Sequence, residues 1–162
     1  MHLNLYTDYG LRVLLYLAAA PTRSAAAPDI ATTFDISLNH LRKVVQALAR
    51  EGYVTTTRGR AGGVSLARDA AEIRVGKVVR ALETDLNIVE CFDPHSNACI
   101  IAPCCGLEKA LREAREAFFL VLDQYTLADL SQNRSALWRL LNRAYASNVQ
   151  QGERGAGSSA AG

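Results

Sequence analysis

Apolar positions in the first half of the chain recur with helical spacing and then give way to a short alternating pattern. The pattern predicts helices over about 7–20, 28–34 and 38–51. Thr7 is the expected cap of the first helix, Pro28 suits the first position of the second, and Ser37 suits the N-cap of the third, which Gly52 ends. Two short strands over 53–57 and 64–67 flank a glycine-rich hairpin tip. This order predicts a winged helix-turn-helix.

The second half of the chain predicts a loop followed by long helices. A short helix over 75–84 precedes a loop over 85–105, and a long helix then runs to about 125. Its apolar residues follow a heptad seam, which favours a homodimer helix over an internal core: Leu107, Leu111, Ala114, Phe118, Val121 and Tyr125. Thr126 and Asp129 fit a capping pattern before a helix over 135–145. The segment 147–162 is expected to be a disordered tail.

These elements predict a mainly α protein with a small β-hairpin wing and a long dimerisation helix. We expect a winged helix-turn-helix domain over 1–84, a cysteine-containing loop over 85–105, dimerisation helices over 106–146, and the tail. The 162 residues, 49% hydrophobic and 21% charged, fit one packed domain with an appended element.

The apolar run 13–20 lacks the positive flank of a signal peptide, because Asp8 offsets Arg12, and it is too short to span a bilayer. A cytoplasmic location is therefore expected.

The charge of the chain is concentrated in one segment, although the net charge is only +2. Between 37 and 68 there are six basic residues and one acid, which gives +5 there and leaves −3 elsewhere. A solvated helix face would explain the charge alone, but the adjoining glycine-rich hairpin favours binding of double-stranded DNA. The candidate DNA contacts lie on the third helix and on the wing: Ser37, Asn39, His40, Arg42, Lys43, Arg58 and Arg60.

All four cysteines fall in the predicted loop, as Cys91, Cys99, Cys104 and Cys105. Thiolates are soft ligands that select zinc or iron–sulfur clusters, and the absence of the C-x2–4-C spacing that is usual in zinc sites favours a cluster over zinc. Neighbouring side chains diverge, so Cys104 and Cys105 are not expected to ligate equally. Because the loop is hydrophilic, it is a poor place for several buried cysteines without a ligand, and metal binding is the favoured explanation. The chain lacks the C-x-x-C motif and the base partner that a thiol enzyme would need, so it is not expected to be an enzyme.

Six segments together resemble the family of iron–sulfur winged-helix regulators: 6–12, 37–43, 52–54, 58–63, 78–83 and the cysteine loop. The resemblance extends from residue 1 to about 145. It implies a dimeric transcriptional repressor that binds a pseudo-palindromic operator. It also implies a 2Fe-2S or 4Fe-4S cluster ligated by Cys91, Cys99 and Cys105.

Residues 7–9 match the nitric-oxide-sensing branch of that family, which controls nitrosative-stress genes. In that branch a carboxylate at the position of Asp8 reaches the cluster from the partner subunit. The branch that regulates cluster assembly has a histidine where this chain has Glu108. An iron-responsive branch shares the cysteine spacing, so regulation by iron or cluster status is the alternative function.

Overall fold

The computed structural model describes residues 3–57, 62–93, 95 and 97–158, and side chains as far as Gln151. The helices are α1 Leu5–Ala19, α2 Ala27–Phe34, α3 Leu38–Arg50, α4 Val75–Leu82, α5 Gly106–Gln124, α6 Leu127–Leu130 and α7 Arg134–Ser158. Strands β1 Ser24–Ala25, β2 Val54–Thr56 and β3 Val64–Leu66 form an antiparallel sheet in the order β1-β3-β2. No helix in the described ranges combines the length and apolar character needed to cross a membrane.

The winged helix-turn-helix and the mainly α fold class are confirmed, and local sequence signals explain how the third helix is delimited. The Ser37 hydroxyl accepts a hydrogen bond from the His40 backbone N–H at 3.2 Å, which is the predicted N-cap. Gly52 has φ of +70°, a left-handed conformation that suits the residue after a helix. Between these ends, Leu41, Val44 and Leu48 are fully buried, so α3 is held by its apolar face and presents its polar face outward.

The N-terminal segment differs from the sequence prediction in its cap and in one added strand. Asn4 rather than Thr7 caps α1, since the Asn4 side chain accepts from the Thr7 backbone N–H at 2.8 Å. Asn4 also donates twice to the Glu83 carboxylate, at 2.9 and 2.7 Å, and this long-range partner fixes the start of α1. Strand β1 lies where a loop was predicted, because two residues are too few to show an alternating pattern.

The C-terminal helix α7 corrects the prediction of a disordered tail from residue 147. The chain stays helical to Ser158, and 159–162 lie outside the described residues. The Asn148 side chain donates to the backbone oxygens of Thr32 and Thr33, at 2.8 and 3.4 Å, which ties α7 to the end of α2. Trp138 packs edge-on against Tyr16 with ring centroids 5.5 Å apart. Composition alone could not reveal these tertiary contacts.

Helix α5 is fixed to the winged helix-turn-helix through α4. The Arg80 guanidinium makes two 2.8 Å hydrogen bonds to the Asp123 carboxylate and lies 4.3 Å from the Phe119 ring centroid. Beyond α5, Thr126 and Asp129 form the predicted capping box at the start of α6. Because α5 begins directly after Cys105, this attachment connects the cysteine loop to the winged helix-turn-helix.

The Arg80–Asp123 pair predicts a stability that falls in acid. The hydrogen bonds from Arg80 hold the pKa of Asp123 below its ordinary value of 3.8. The unfolded chain therefore takes up this proton at a higher pH than the folded chain does. The pair's contribution is complete above pH 3.8 and is lost as the pH falls through the folded-state pKa. In urea unfolding between pH 6 and 3, the free energy of unfolding should fall less steeply with decreasing pH for Asp123→Asn than for the wild type. Glu72→Gln, which removes an exposed carboxylate elsewhere, should keep the wild-type slope; equal slopes for all three proteins would contradict the assignment.

Candidate DNA interface and cysteine site

Helix α3 exposes the side chains that the sequence singled out for DNA contact. Ser37, at its N-cap, and Asn39, His40, Arg42 and Lys43 all lie on the solvent side of the helix. Arg58 and Arg60, the predicted contacts of the wing tip, lie outside the described residues. The structure therefore locates the candidate residues of α3 but not those of the wing tip.

One side of α3 forms a groove with the base of the wing. Arg42 and Gln46 line this groove of about 480 Å³, together with the start of α2 and the inner ends of β2 and β3. The hairpin is held at its base because the Thr57 backbone N–H donates to the Gly63 backbone oxygen and the Gly63 backbone N–H donates to the Thr57 hydroxyl, each at 3.0 Å. Arg42 thus faces the same concave surface as the wing.

The other side of α3 faces the beginning of α1. His40 and Lys43 line a smaller groove of about 270 Å³, whose opposite wall is Leu5, Tyr6 and Tyr9. The Tyr6 hydroxyl donates to the Lys43 backbone oxygen at 2.7 Å, so α1 and α3 are fixed to each other here. The polar residues of the recognition helix therefore serve two surfaces, one toward the wing and one toward the helix that carries Asp8.

Arg68 has a structural use that charge counting did not reveal. Its guanidinium donates to the Gly52 backbone oxygen at 2.9 Å and to that of Glu51 at 3.4 Å, and it lies 5.2 Å from the Tyr53 ring centroid. These carbonyls lie at the C-terminal end of α3, where a cation is stabilising. Arg68 thus joins the strand after the wing to the recognition helix.

Backbone turns fold the cysteine loop against the start of α5. Cys91 lies in a 3-10 turn over Glu90–Phe92, and Cys105 is the N-cap residue of α5. Between them, the Glu90 carboxylate accepts from the Ala98 N–H at 2.7 Å, and the Asn97 side chain accepts from the Cys99 N–H at 3.0 Å. Glu90 thereby holds the segment before Cys99 next to the turn that contains Cys91.

Two of the other three thiols influence the protonation of Cys91. The pKa of Cys91 is raised, first by desolvation and then by the nearby Glu108 carboxylate and the Cys99 and Cys105 thiols. Cys91, Cys99 and Cys105 are half-buried, whereas Cys104 is exposed, with its sulfur 3.7 Å from the Ile101 backbone oxygen. The three half-buried cysteines are those that the family resemblance implies as ligands.

The three half-buried thiols suit a soft metal centre by their chemistry. In the part of the chain that is described, no three Cys, His, Asp or Glu side chains are already close enough to hold a metal ion. The donor set nevertheless fits an iron–sulfur cluster, because three unpaired cysteines share one half-buried loop.

Asp8 is paired within its own helix. Its carboxylate lies 2.7 Å from the Arg12 guanidinium, and the Asp8 side chain is 39% exposed. It lies in the first turn of α1, where an acid also suits the helix dipole. A second subunit could reach this carboxylate only by competing with Arg12.

The sequence reasoning missed a set of side chains behind the loop. Phe92, which directly follows Cys91, is 7% exposed, and the guanidinium carbons of Arg112 and Arg115 lie 4.7 and 4.9 Å from its ring centroid. Arg112 also pairs with Glu108 one turn earlier on α5. The helical spacing of these charges was visible, but their aromatic partner lies in another part of the chain.

Comparisons with known proteins agree with this architecture. The profile of the Rrf2 family, described as "Iron-dependent Transcriptional regulator", matches residues 3–133. The chain is 51% identical to the HTH-type transcriptional regulator NsrR of Bacillus subtilis strain 168 over 142 residues, covering 87% of this chain and 97% of that protein. Identity and coverage are the same for NsrR of Geobacillus kaustophilus strain HTA426. The solved structure of CymR, the global cysteine regulator of B. subtilis, matches with a TM-score of 0.65 and 26% identity, covering 82% of this chain and 98% of that one. The chain therefore belongs to the Rrf2 family of transcriptional regulators.

Proposed function

We propose that this regulator is a homodimeric repressor that responds to nitric oxide through an iron–sulfur cluster. The observation that carries the proposal is that Cys91, Cys99 and Cys105 are free and half-buried in one loop that ends at the start of α5, in a chain half identical to proteins named NsrR. Under this proposal, residues 1–84 bind DNA, 85–105 hold the cluster and 106–146 form the dimer.

The exposed apolar residues of α5 support a dimer. Leu107, Val121 and Tyr125 belong to the predicted heptad seam and are each about half or more exposed in the single chain, whereas Phe119 packs inward beside α4. A second copy of the seam would cover these residues. A two-fold dimer would place one α3 in each of two major grooves about 34–36 Å apart, and so would read a pseudo-palindromic operator.

Cys91, Cys99 and Cys105 would hold the cluster, of either 2Fe-2S or 4Fe-4S type, and Asp8 of the partner subunit would complete its ligands. When bound, the cluster supplies iron that reacts with nitric oxide. A carboxylate is a harder and poorer match to that iron than a thiolate, so Asp8 would be the first ligand to leave. Once free, Asp8 can return to Arg12 of its own helix, 2.7 Å away.

Loss of the Asp8 contact would release one subunit's α1 from the other subunit's cysteine loop. Helix α1 is fixed to α3 through the bond from Tyr6 to Lys43, so a displaced α1 would carry the recognition helix with it. The two recognition helices would then no longer fit grooves one turn apart. A cost of about 1.4 kcal/mol lowers affinity tenfold, so a small misfit suffices for release.

Anaerobic titration with nitric oxide tests this function. Full-length protein purified without oxygen should show visible absorption, and it should select a pseudo-palindromic duplex from a random-sequence DNA pool. Stepwise nitric oxide should bleach the absorption and release that duplex. Release by an iron chelator, with no response to nitric oxide, would instead establish regulation by iron status. A colourless protein that still binds the duplex would contradict the cluster.

Asp8→Ala tests the proposed trigger. The variant should keep the cluster, with an altered spectrum, but lose most of the difference in DNA affinity between the untreated and nitric-oxide-treated protein. Arg12→Ala is the matched control, because it breaks the same ion pair and leaves the carboxylate in place. That control should retain the full response. An Asp8→Ala protein that binds tightly and releases fully with nitric oxide would rule out the carboxylate as the trigger.

A further inference from the structure

Phe92 connects the cysteine loop to helix α5. Its ring is almost fully buried, and the guanidinium groups of Arg112 and Arg115, one helical turn apart on α5, both lie within 5 Å of its centroid. Such cation–aromatic contacts are attractive and strengthen as the groups lose water. Phe92 is therefore held by the second and third turns of the helix.

Helix α5 is connected to both ends of the segment from Cys91 to Cys105. Cys105 is fixed to α5 because it is the residue before the first turn of that helix. Cys91 lies at the other end of the segment. Cys91 reaches α5 through its neighbour Phe92. Arg112 serves this end of the loop twice, since it contacts the Phe92 ring and also pairs with Glu108, the carboxylate beside Cys91.

We propose that Phe92, Arg112 and Arg115 are positioning residues of the cysteine site. They hold Cys91, through its neighbour Phe92, against α5, the helix that begins directly after Cys105. Through Arg112 they also fix the Glu108 carboxylate at the edge of the site. The proposal rests on the proposed cluster function for its meaning, but the placement of Cys91 can be measured without a cluster. Partners behind metal ligands commonly change metal affinity by about 10- to 100-fold when they are removed.

The first experiment measures cysteine reactivity in the cluster-free full-length protein. Iodoacetamide alkylation of each thiol is followed by mass spectrometry, with exposed Cys104 as the internal reference. In Phe92→Leu and in Arg112→Gln/Arg115→Gln, alkylation at Cys91 should rise several-fold relative to Cys104 while far-ultraviolet circular dichroism stays unchanged. Phe92→Tyr, which keeps the ring, should restore the wild-type ratio. Lys109→Gln, which removes an equally charged but exposed side chain from the same helix, should leave the ratio unchanged.

The second experiment uses the anaerobic protein with its cluster. Iron release to a ferrous chelator should be about tenfold faster in Phe92→Leu and in the double arginine variant than in the wild type or Lys109→Gln. Visible circular dichroism should change in the same variants. A wild-type protein without a cluster would overturn the proposed function and leave the alkylation result to decide the positioning role. Unchanged alkylation ratios, or an equal rise at all four cysteines, would overturn the positioning role itself.

Discussion

Alanine at Cys91, Cys99 or Cys105 is expected to remove nearly all visible absorption from the anaerobically purified protein, whereas alanine at Cys104 should preserve it. The three effective positions are half-buried in one loop, and we propose that they are the thiolate ligands, so the loss of one would leave too few. Cys104 is exposed and lies outside that set, so its removal costs no ligand. Iron and sulfide analysis, together with the absorption spectrum, measures the effect.

The adjacent pair Cys104 and Cys105 gives this prediction a sharp contrast. Both substitutions delete the same atoms from neighbouring residues, so differences in expression or handling cannot mimic the result. A coloured Cys105→Ala protein beside a colourless Cys104→Ala protein would reverse the assignment. Two coloured proteins would mean that either thiol can complete the site.

Gly76→Ala is expected to destabilise the protein by about 2 kcal/mol, although alanine is the better helix former by about 1 kcal/mol. A Cβ at this position of α4 would lie 2.1 Å from the Asp123 carboxylate oxygen and 3.0 Å from the Asp123 backbone nitrogen. The carboxylate cannot simply move aside, because Arg80 holds it with two hydrogen bonds. The substitution must therefore break that pair or move α5 away from α4. Urea unfolding monitored by circular dichroism measures the loss.

Two companion variants separate the clash from the general effect of replacing glycine. Gly106→Ala introduces the same methyl group at the start of α5, where nothing lies within 4 Å, and should be neutral or slightly stabilising. Asp123→Ala combined with Gly76→Ala removes the nearest clashing atoms, so the two destabilising effects should sum to less than their separate values. A Gly76→Ala protein as stable as the wild type would show that α4 and α5 are not packed as described.

Features that depend on neighbours in sequence could be predicted well. Ser37 and Gly52 bound α3 as expected, and Thr126 and Asp129 form the expected capping box, because each signal needs only a few adjacent residues. The burial of Leu41, Val44 and Leu48 follows equally from helical spacing. Asn4 rather than Thr7 caps α1 through a bond that is local, and Asn is a preferred N-cap residue, so this cap could have been predicted. Only its second partner, Glu83, is distant in sequence and invisible to local rules.

The residues of the candidate site also differ in how far the sequence could identify them. The cysteines could be chosen from residue type and family resemblance, since a thiol is a metal ligand by its own chemistry. Phe92, Arg112 and Arg115 could not, because an aromatic residue in a loop and arginines on a helix face have many ordinary uses. Glu108 was informative in the sequence only by not being histidine, and the fold gives it a place beside Cys91. The dimer seam stays a prediction, since the residues that would test it face outward from a single chain.

Arg68 carries a consequence for how DNA affinity can be regulated. By bonding the last carbonyls of α3 from just beyond β3, it connects the recognition helix to the base of the hairpin. Helix and hairpin base would then move as one unit in each subunit. A signal would therefore leave the contacts of each unit with its half-site unchanged and alter only the angle and spacing between the two units. Half-site duplexes should then bind equally well in both signalling states, and only the full palindrome should distinguish them.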